Sequence, residues 1–479
     1  MKSAALKNLL TLLTLNLFLA ACTSLPSEPP SPQIPEADRW LSPEANTTTV
    51  QARWWDLFED PLLSGLIRDA ATQNHDIRLA KARLKEVQAA YRLETADGLP
   101  SIQGSGSAVR QSASENGASF IPPGTSDEQN VFGIDFGASW ELDFFGAQRA
   151  RAEAALARIE RQEYQQQDVL RLVFAEVARN YLLVRSEQKR LAVLERNVAL
   201  QLDTLEIVQA RAEIGLSRQL DVTRAKAQLE QTRALIPESR RQQQQAAYQL
   251  ALLTDRSREA LTEQLMTTQP LPSEPDVVPV GLPSELLQRR PDIRSAEAQL
   301  RATFADWQSA QRDLYPSFSL TGSAGLESLT IGELLKGSSG TWAIGAVLRW
   351  PIFQQGRLRA TIDVQEARKQ QALIQYERTV LSAFQEVGST LISYGESLAI
   401  RARLQSAVEA AQESAELAEG LYQQGLSSFI EVLDANLRLT QSEDELVRAE
   451  TRALVELINL YQSLGGGWEQ ETVVADGRT

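Results

Sequence analysis

Gly425-Leu426-Ser427-Ser428-Phe429-Ile430-Glu431-Val432-Leu433-Asp434-Ala435 is the stretch on which the reading of the whole chain turns. About 65 helix-forming residues lead into it and about 30 lead away, both almost free of glycine and proline. A glycine ends a helix in the left-handed conformation and a serine starts the next one. The stretch has an echo, Gly215-Leu216-Ser217-Arg218-Gln219-Leu220-Asp221-Val222, placed 210 positions earlier (425 − 215). Each copy reads as the tip of a long helical hairpin, with an acidic residue at the same step of the returning helix.

The echo belongs to a repeat that covers most of the chain. Asp76-Ile77-Arg78 matches Asp292-Ile293-Arg294 at an offset of 216 (292 − 76), as Pro100-Ser101 matches Pro316-Ser317. Further along the offset becomes 210: Trp140 matches Trp350, Gly146 matches Gly356, and Phe174 matches Phe384. The change falls where a hairpin loop is expected, and loops tolerate it. The repeats span 62–255 and 283–464, with a proline-rich linker at 256–282 and a polar tail at 465–479.

Bulk properties exclude several classes of function. A net charge of −14 speaks against nucleic acid as a partner. The chain has one histidine, His75, and one cysteine, Cys22. That leaves no material for a His/Cys metal cluster or a Cys–His catalytic pair, and no catalytic motif marks it as an enzyme. No metal and no cofactor is expected. Past the N-terminus no apolar run reaches the ~18 residues of a membrane helix.

Residues 1–21, with Lys2, Lys7 and an apolar run Leu9–Ala21, form a secretory signal. They end Leu19-Ala20-Ala21-Cys22. Residues 22–61 read as an N-terminal tether, extended over 23–52, which is rich in Pro, Ser and Thr; Trp54-Trp55-Asp56-Leu57-Phe58 and Asp60-Pro61 open the first short helix. Matched amphipathic helices follow at 75–97 and 292–314, and each stops at a proline, Pro100 or Pro316.

The period then switches to two. In 101–110, Ile102, Gly104, Gly106 and Ala108 alternate with Ser101, Gln103, Ser105 and Ser107. The segments 131–142, 317–326 and 341–352 alternate in the same way, with Trp140, Trp342 and Trp350 near their ends. Four strands of about ten residues with one apolar and one polar face suit a membrane barrel with a wet lumen better than a small soluble sandwich. Four strands cannot enclose a lumen, since about eight are needed for even a filled barrel. The barrel is therefore expected to be shared, three copies giving twelve strands. The helical runs 147–214 and 357–424 are each on the order of 100 Å long at 1.5 Å per residue; Gly388 and Gly395 interrupt the second. Residues 218–254 and 428–464 run back. A plain coiled coil would not account for paired strands between the helices.

These motifs resemble the outer-membrane factor family (TolC/OprM/NodT-like), in particular its lipoprotein branch serving resistance-nodulation-division (RND) efflux pumps. The resemblance rests on Gly-Leu-Pro-Ser-Glu-Leu-Leu…Arg-Arg-Pro-Asp-Ile at 281–293, on Val432-Leu433-Asp434-Ala435, and on Gly465-Gly466-Gly467-Trp468. It implies an α+β membrane protein: a homotrimer with a twelve-stranded outer-membrane β-barrel continuous with a periplasmic α-helical barrel. Leu19–Cys22 resembles a lipobox, so Cys22 is expected to carry covalent lipid and sit in the outer membrane. The implied partners are two further copies, a periplasmic membrane-fusion adaptor, an inner-membrane RND-type transporter and outer-membrane lipid.

The resemblance also implies site residues. Gly215, Leu216, Ser217, Gly425, Leu426 and Ser427 match the tips that meet the adaptor. Glu431 and Asp434 match acidic rings, Ile430 an apolar constriction, and Tyr422 with Asp221 a link between helix pairs. The arginine that completes this latch in the family would fall at Ser427 or Leu421, and neither is basic. Arg224, the first-repeat counterpart of Asp434, is the substitute the sequence suggests. The implied function is a passive exit duct for drugs or other small toxic compounds. The alternatives are a channel for type I protein secretion, or a non-conducting lipoprotein spanning the periplasm.

Overall fold

The computed structural model describes residues 26, 28–32, 53–112, 128–266, 270–272, 278 and 283–468. Cys22, Gly281, Leu282, the signal sequence and most of the tether and tail lie outside them. After a 3-10 turn at Trp54–Phe58 come α1 (Pro61–Gln73), α2 (His75–Ala96), β1 (Ser101–Ser112), β2 (Glu128–Leu142), α3 (Ala147–Glu213), α4 (Gln219–Thr254) and α5 (Arg258–Met266). Then follow α6 (Pro283–Arg289), α7 (Pro291–Arg312), β3 (Ser317–Ser328), β4 (Gly340–Arg349), α8 (Arg357–Gln423) and α9 (Phe429–Ser463). The α3–α4 and α8–α9 hairpins are the two echoes of the repeat.

Local chemistry sets the boundaries. The Asp60 carboxylate accepts from the Leu62 and Leu63 amides and caps α1. Asn74 does the same for α2 through the Asp76 and Ile77 amides, which leaves His75 exposed on the first turn. Both α3 and α8 are 67 residues long. Few prolines or glycines interrupt them, so nothing stops either helix before its terminal glycine.

The chain divides into two compact units that cut across the repeats: 87–159 with 297–375 and the first residues, and 34–86 with 160–296 and 376–479. Each repeat thus supplies a matched half of each unit.

In the first unit the four strands form one antiparallel sheet in the order β1-β2-β3-β4. The register places Ile102, Ala138, Gly322 and Ile344 in one row, and Gly104, Phe136, Ala324 and Trp342 in another, all on one face. The opposite face carries Ser105, Asp135, Gly325 and Thr341, then Gln103, Gly137, Ser323 and Ala343. The alternation expected from the sequence is therefore the alternation of the sheet. The six-residue change of offset falls between β1 and β2, as expected. Boundaries differ by a few residues: β1 and β3 run on to Ser112 and Ser328, β2 starts at Glu128, and β4, expected to reach 352, ends at Arg349. Pro351 has no amide to donate, and Ile352 turns back to bond the Trp350 carbonyl. Gly325 is fixed by space, because a Cβ there would run into the Ile134 carbonyl.

Below the strands in sequence, ion pairs tie the helical parts of this unit together. Arg151 pairs with Asp313 at 2.8 Å and Arg158 with Asp306 at 2.6 Å. Lys369 lies 3.9 Å from the centre of the Trp307 ring. Burial raises the Asp313 carboxyl above its ordinary range, against the pull of Arg151.

The second unit is built on an apolar core. Trp54 stacks on Tyr461 with ring centres 5.7 Å apart, and Trp55 meets Phe174 edge-on at 5.3 Å. Leu63, Leu66, Leu182, Leu457 and Ile458 fill the space around them. The core thus includes Trp54, Trp55 and Phe58, inside the span 22–61 read as tether: two tryptophans and a phenylalanine carry too much apolar surface to stay in water.

This core also explains two of the three family motifs. Buried Arg290 pairs with Asp292 and Glu386, and donates to the Ser463 carbonyl at the C-terminal end of α9. Arg171 donates to the neighbouring Gln462 carbonyl. Two cations therefore satisfy the open carbonyls of α9 and its negative dipole end. Burial acts against the Arg290 charge, but its carboxylate partners outweigh that and raise its pKa. Glycine is required at 465, where φ is 76° and a Cβ would stand 3.0 Å from the Arg290 side chain. Trp468 then donates to the Arg289 carbonyl, closing the end of the second repeat onto its beginning.

Among the described residues no helix is long and apolar enough to cross a membrane.

Candidate functional site

The hairpin tips gather the candidate residues. Gly215 and Gly425 have φ of 80° and 76°. At each, the residue after the glycine donates back five positions, Leu216 to the Arg211 carbonyl and Leu426 to the Leu421 carbonyl. Each glycine itself donates three positions back, to Ala212 or Tyr422. These are matched Schellman stops, and the left-handed glycine is what makes them possible.

The restart differs from expectation in the first copy. Arg218, not Ser217, occupies the N-cap of α4, and its amide donates to the Asp221 carboxylate. Ser428 occupies the N-cap position of α9 in the second copy, but its hydroxyl donates to the Glu431 carboxylate at 3.1 Å and accepts from no helix amide. Ser217 is occupied elsewhere: its hydroxyl shares a 2.8 Å hydrogen bond with the Tyr422 hydroxyl. Tyr422 therefore links the two hairpins through Ser217, while Asp221 serves its own helix.

Tyr422 is enclosed. The Arg211 guanidinium lies 4.8 Å from its ring centre, and the Phe429 ring packs at 5.6 Å. Leu205, Val208, Val222, Leu229 and Val432 complete an apolar cluster shared by both hairpins. Arg211 was not singled out by the sequence reading, although a signal was present. The repeat offset maps Leu421, where the family places an arginine, onto position 211 (421 − 210). The cation is at the tip, supplied from the other repeat.

The proposed gate face lies on the exposed side of α9. Ile430, Glu431 and Asp434 are exposed there, opposite buried Phe429, Val432 and Ala435. Asp434 is paired with Arg438 at 2.8 Å, one helical turn on, and not with Arg224, which lies half-buried on α4. Glu431 and Asp434 are thus unequal. Asp434 carries its own counter-ion, and Glu431 accepts from the neutral Ser428 hydroxyl.

At the tips the apolar ends protrude. Leu216 is 65% exposed and Leu426 71%, and Ile214 stands beside them in sequence. Ser217 and Ser427 are half-buried, the latter donating to the Ala418 carbonyl. Nothing lies within 4 Å of a Cβ built on Gly215 or Gly425. Among the described residues no group of three or more His, Cys, Asp or Glu could hold a metal ion.

The comparisons with known proteins agree with this geometry. The model of the family described as outer membrane efflux protein matches residues 66–255 and 282–466. The probable efflux pump outer membrane protein TtgC of Pseudomonas putida is 32% identical over 97% of each chain. The solved outer-membrane channel OprN superposes with a TM-score of 0.85 at 29% identity, covering 92% of this chain and 99% of its own. The open state of the Neisseria gonorrhoeae outer membrane channel MtrE gives 0.82 at 27% identity, covering 93% and 99%. With both repeats matched and a full-length relative above 30% identity, the chain belongs to the outer membrane efflux protein family.

Proposed function

We propose that three copies of this chain form a passive exit duct, with the four-stranded sheets joined into one barrel and the hairpins into one helical tunnel. The single observation that carries this reading is the sheet. It has one apolar face and one polar face, and its outer strands β1 and β4 each pair on one side only. An open edge of this length is a template for another strand, and a neighbouring copy offers the matching one. The cargo is small toxic compounds or drugs, and the efflux pump in the name of TtgC supports export as the work. A duct of this kind needs no catalysis, since the driving force comes from a partner.

The exposed tips, with Leu216 and Leu426 foremost, are the docking points for a periplasmic membrane-fusion adaptor, which connects the duct to an inner-membrane RND-type transporter. Cys22 carries the lipid that holds the N-terminus at the outer membrane. Threefold symmetry turns Ile430, Glu431 and Asp434 toward the axis as a constriction, latched by Tyr422, Ser217 and Arg211.

Charge selectivity tests the gate. Rings of carboxylates favour cations in pores. Because Arg438 already offsets Asp434, Glu431→Gln should reduce the cation preference of the open channel several-fold, while Asp434→Asn combined with Arg438→Gln removes a neutral pair and should change it little. Arg438→Ala alone should raise it. Bilayer recordings under a salt gradient read all three as reversal potentials. Equal effects of Glu431→Gln and of the paired Asp434→Asn, Arg438→Gln change would remove this account of the ring.

A further inference from the structure

Helix α9 meets α3 in three stretches of different character, all within the second unit. At its C-terminal end Leu454, Leu457, Ile458, Leu460 and Tyr461 join the apolar core with Phe174, Tyr181 and Leu182, and Arg171 and Arg290 hold its last carbonyls. At its N-terminal end Phe429 and Val432 join the apolar tip cluster with Leu205 and Val208. Between them hydrogen bonds and ion pairs cross the interface, around buried Leu194 and Val447. Ser186 meets Thr451, Lys189 meets Glu450 at 2.5 Å, Arg190 meets Asp444 at 2.5 Å, and Arg196 and Asn197 both reach Glu443.

The middle of this ladder is buried and joins a third helix. Ser239 of α4, fully buried, donates to Glu187 at 2.5 Å. Glu187 faces Arg190, which is 2% exposed, and Arg190 bonds Asp444, which also accepts from Arg448. Two residues before Ser239, Pro237 interrupts α4 and leaves the helix one hydrogen bond short.

Stability alone does not explain such a node. Replacing a buried ion pair by apolar residues of similar volume is often neutral or stabilising. What an ion pair on long side chains offers is tolerance of movement. Lysine, arginine and glutamate keep their hydrogen bonds through a shift of helix axes by changing rotamer. Interlocked apolar side chains at close-packed density cannot.

We propose that the ladder between 186–201 and 440–451, centred on Glu187, Arg190, Ser239 and Asp444, is a compliant joint. The gate-bearing end of α9 turns about it while the far end stays clamped. These are positioning residues acting through Tyr422, Glu431 and the tip cluster, and the inference rests on the gated-duct reading above.

The test converts the joint into a packed interface. In the full-length chain, Glu187→Met, Arg190→Met and Asp444→Leu are combined. The expected trimer resists heating at least as well as the parent, while channel openings fall about tenfold or more. Spin labels at Leu426→Cys, on the turn that leads into α9, should report a narrower spread of tip-to-tip distances. With Cys22 acylated, as proposed above, no native thiol competes for the label. Pro237→Ala restores the missing helix bond and leaves the ladder untouched, so it should narrow the same spread more weakly. A stable triple variant that opens as often as the parent would overturn the joint. If the triple variant fails to assemble, Pro237→Ala decides, and an unchanged tip distribution would overturn the proposal. A parent trimer that never conducts would instead overturn the duct reading, and this inference with it.

Discussion

Tyr422→Phe combined with Arg211→Ala is expected to unlatch the tips, raising single-channel conductance and making cells leaky to large antibiotics. The tyrosine hydroxyl shares its bond with Ser217 of the other hairpin, and Arg211 lies against the ring. A net hydrogen bond contributes about 0.5–1.5 kcal/mol, and an arginine over an aromatic ring about 0.5–2 kcal/mol. One copy of the latch is weak. Three copies on one axis sum to several kcal/mol, and roughly 5.5 kcal/mol is enough to invert a 1:99 equilibrium. Ser217→Ala should reproduce the Tyr422→Phe part of the effect, and adding it to Tyr422→Phe should change little further, because both remove the same bond. Parent conductance in the double variant would show that the closed state is held elsewhere.

Gly215→Val and Gly425→Val are expected to abolish drug resistance while leaving trimer abundance unchanged. No side chain would collide with the new residue, since the space around both glycines is open. The cost is in the backbone. Positive φ is a genuine outlier for a β-branched residue, at about 1–3 kcal/mol each. The turn can escape the strain only by moving, and Leu216 or Leu426 moves with it. The core of the second unit does not involve these turns, so assembly is spared. Resistance assays beside immunoblots of the outer-membrane fraction read both quantities. Normal resistance would remove the tips from adaptor docking.

Most of the fold was legible because it is written in periods. The switch from 3.6 to 2 and back, made twice at an offset of 216 and then 210, located the four strands and four long helices of the described residues. The faces of the sheet followed from alternation alone. The boundary errors have local causes, such as Pro351 ending β4 early. The turn at Trp54–Phe58 was legible as the first short helix; its burial was not, because Trp54, Trp55 and Phe58 pack against residues more than a hundred positions away.

The tips were half legible. Glycine with a following serine announced each turn, because a left-handed helix stop has few chemical solutions. The wiring was not visible. Ser217 was read as a cap and is taken by a tyrosine 205 positions later. Local spacing offers no sign of that competition. Asp434 was assigned to Arg224 by repeat logic, although Arg438 stands four residues along the same helix face, the spacing at which helical ion pairs form. Arg211 shows the reverse: repeat logic applied to Leu421 would have found it. A duplicated fold lets one repeat supply what the other lacks, so each family position has two addresses in the chain.

The central claim is that three chains share one conducting barrel. Native mass spectrometry of the purified full-length protein, followed by single-channel recording of the same sample in a planar bilayer, tests it most directly. The account predicts a mass of three chains and discrete conductance steps from that species. A stable monomer with a closed barrel, or a trimer that never conducts, would contradict it.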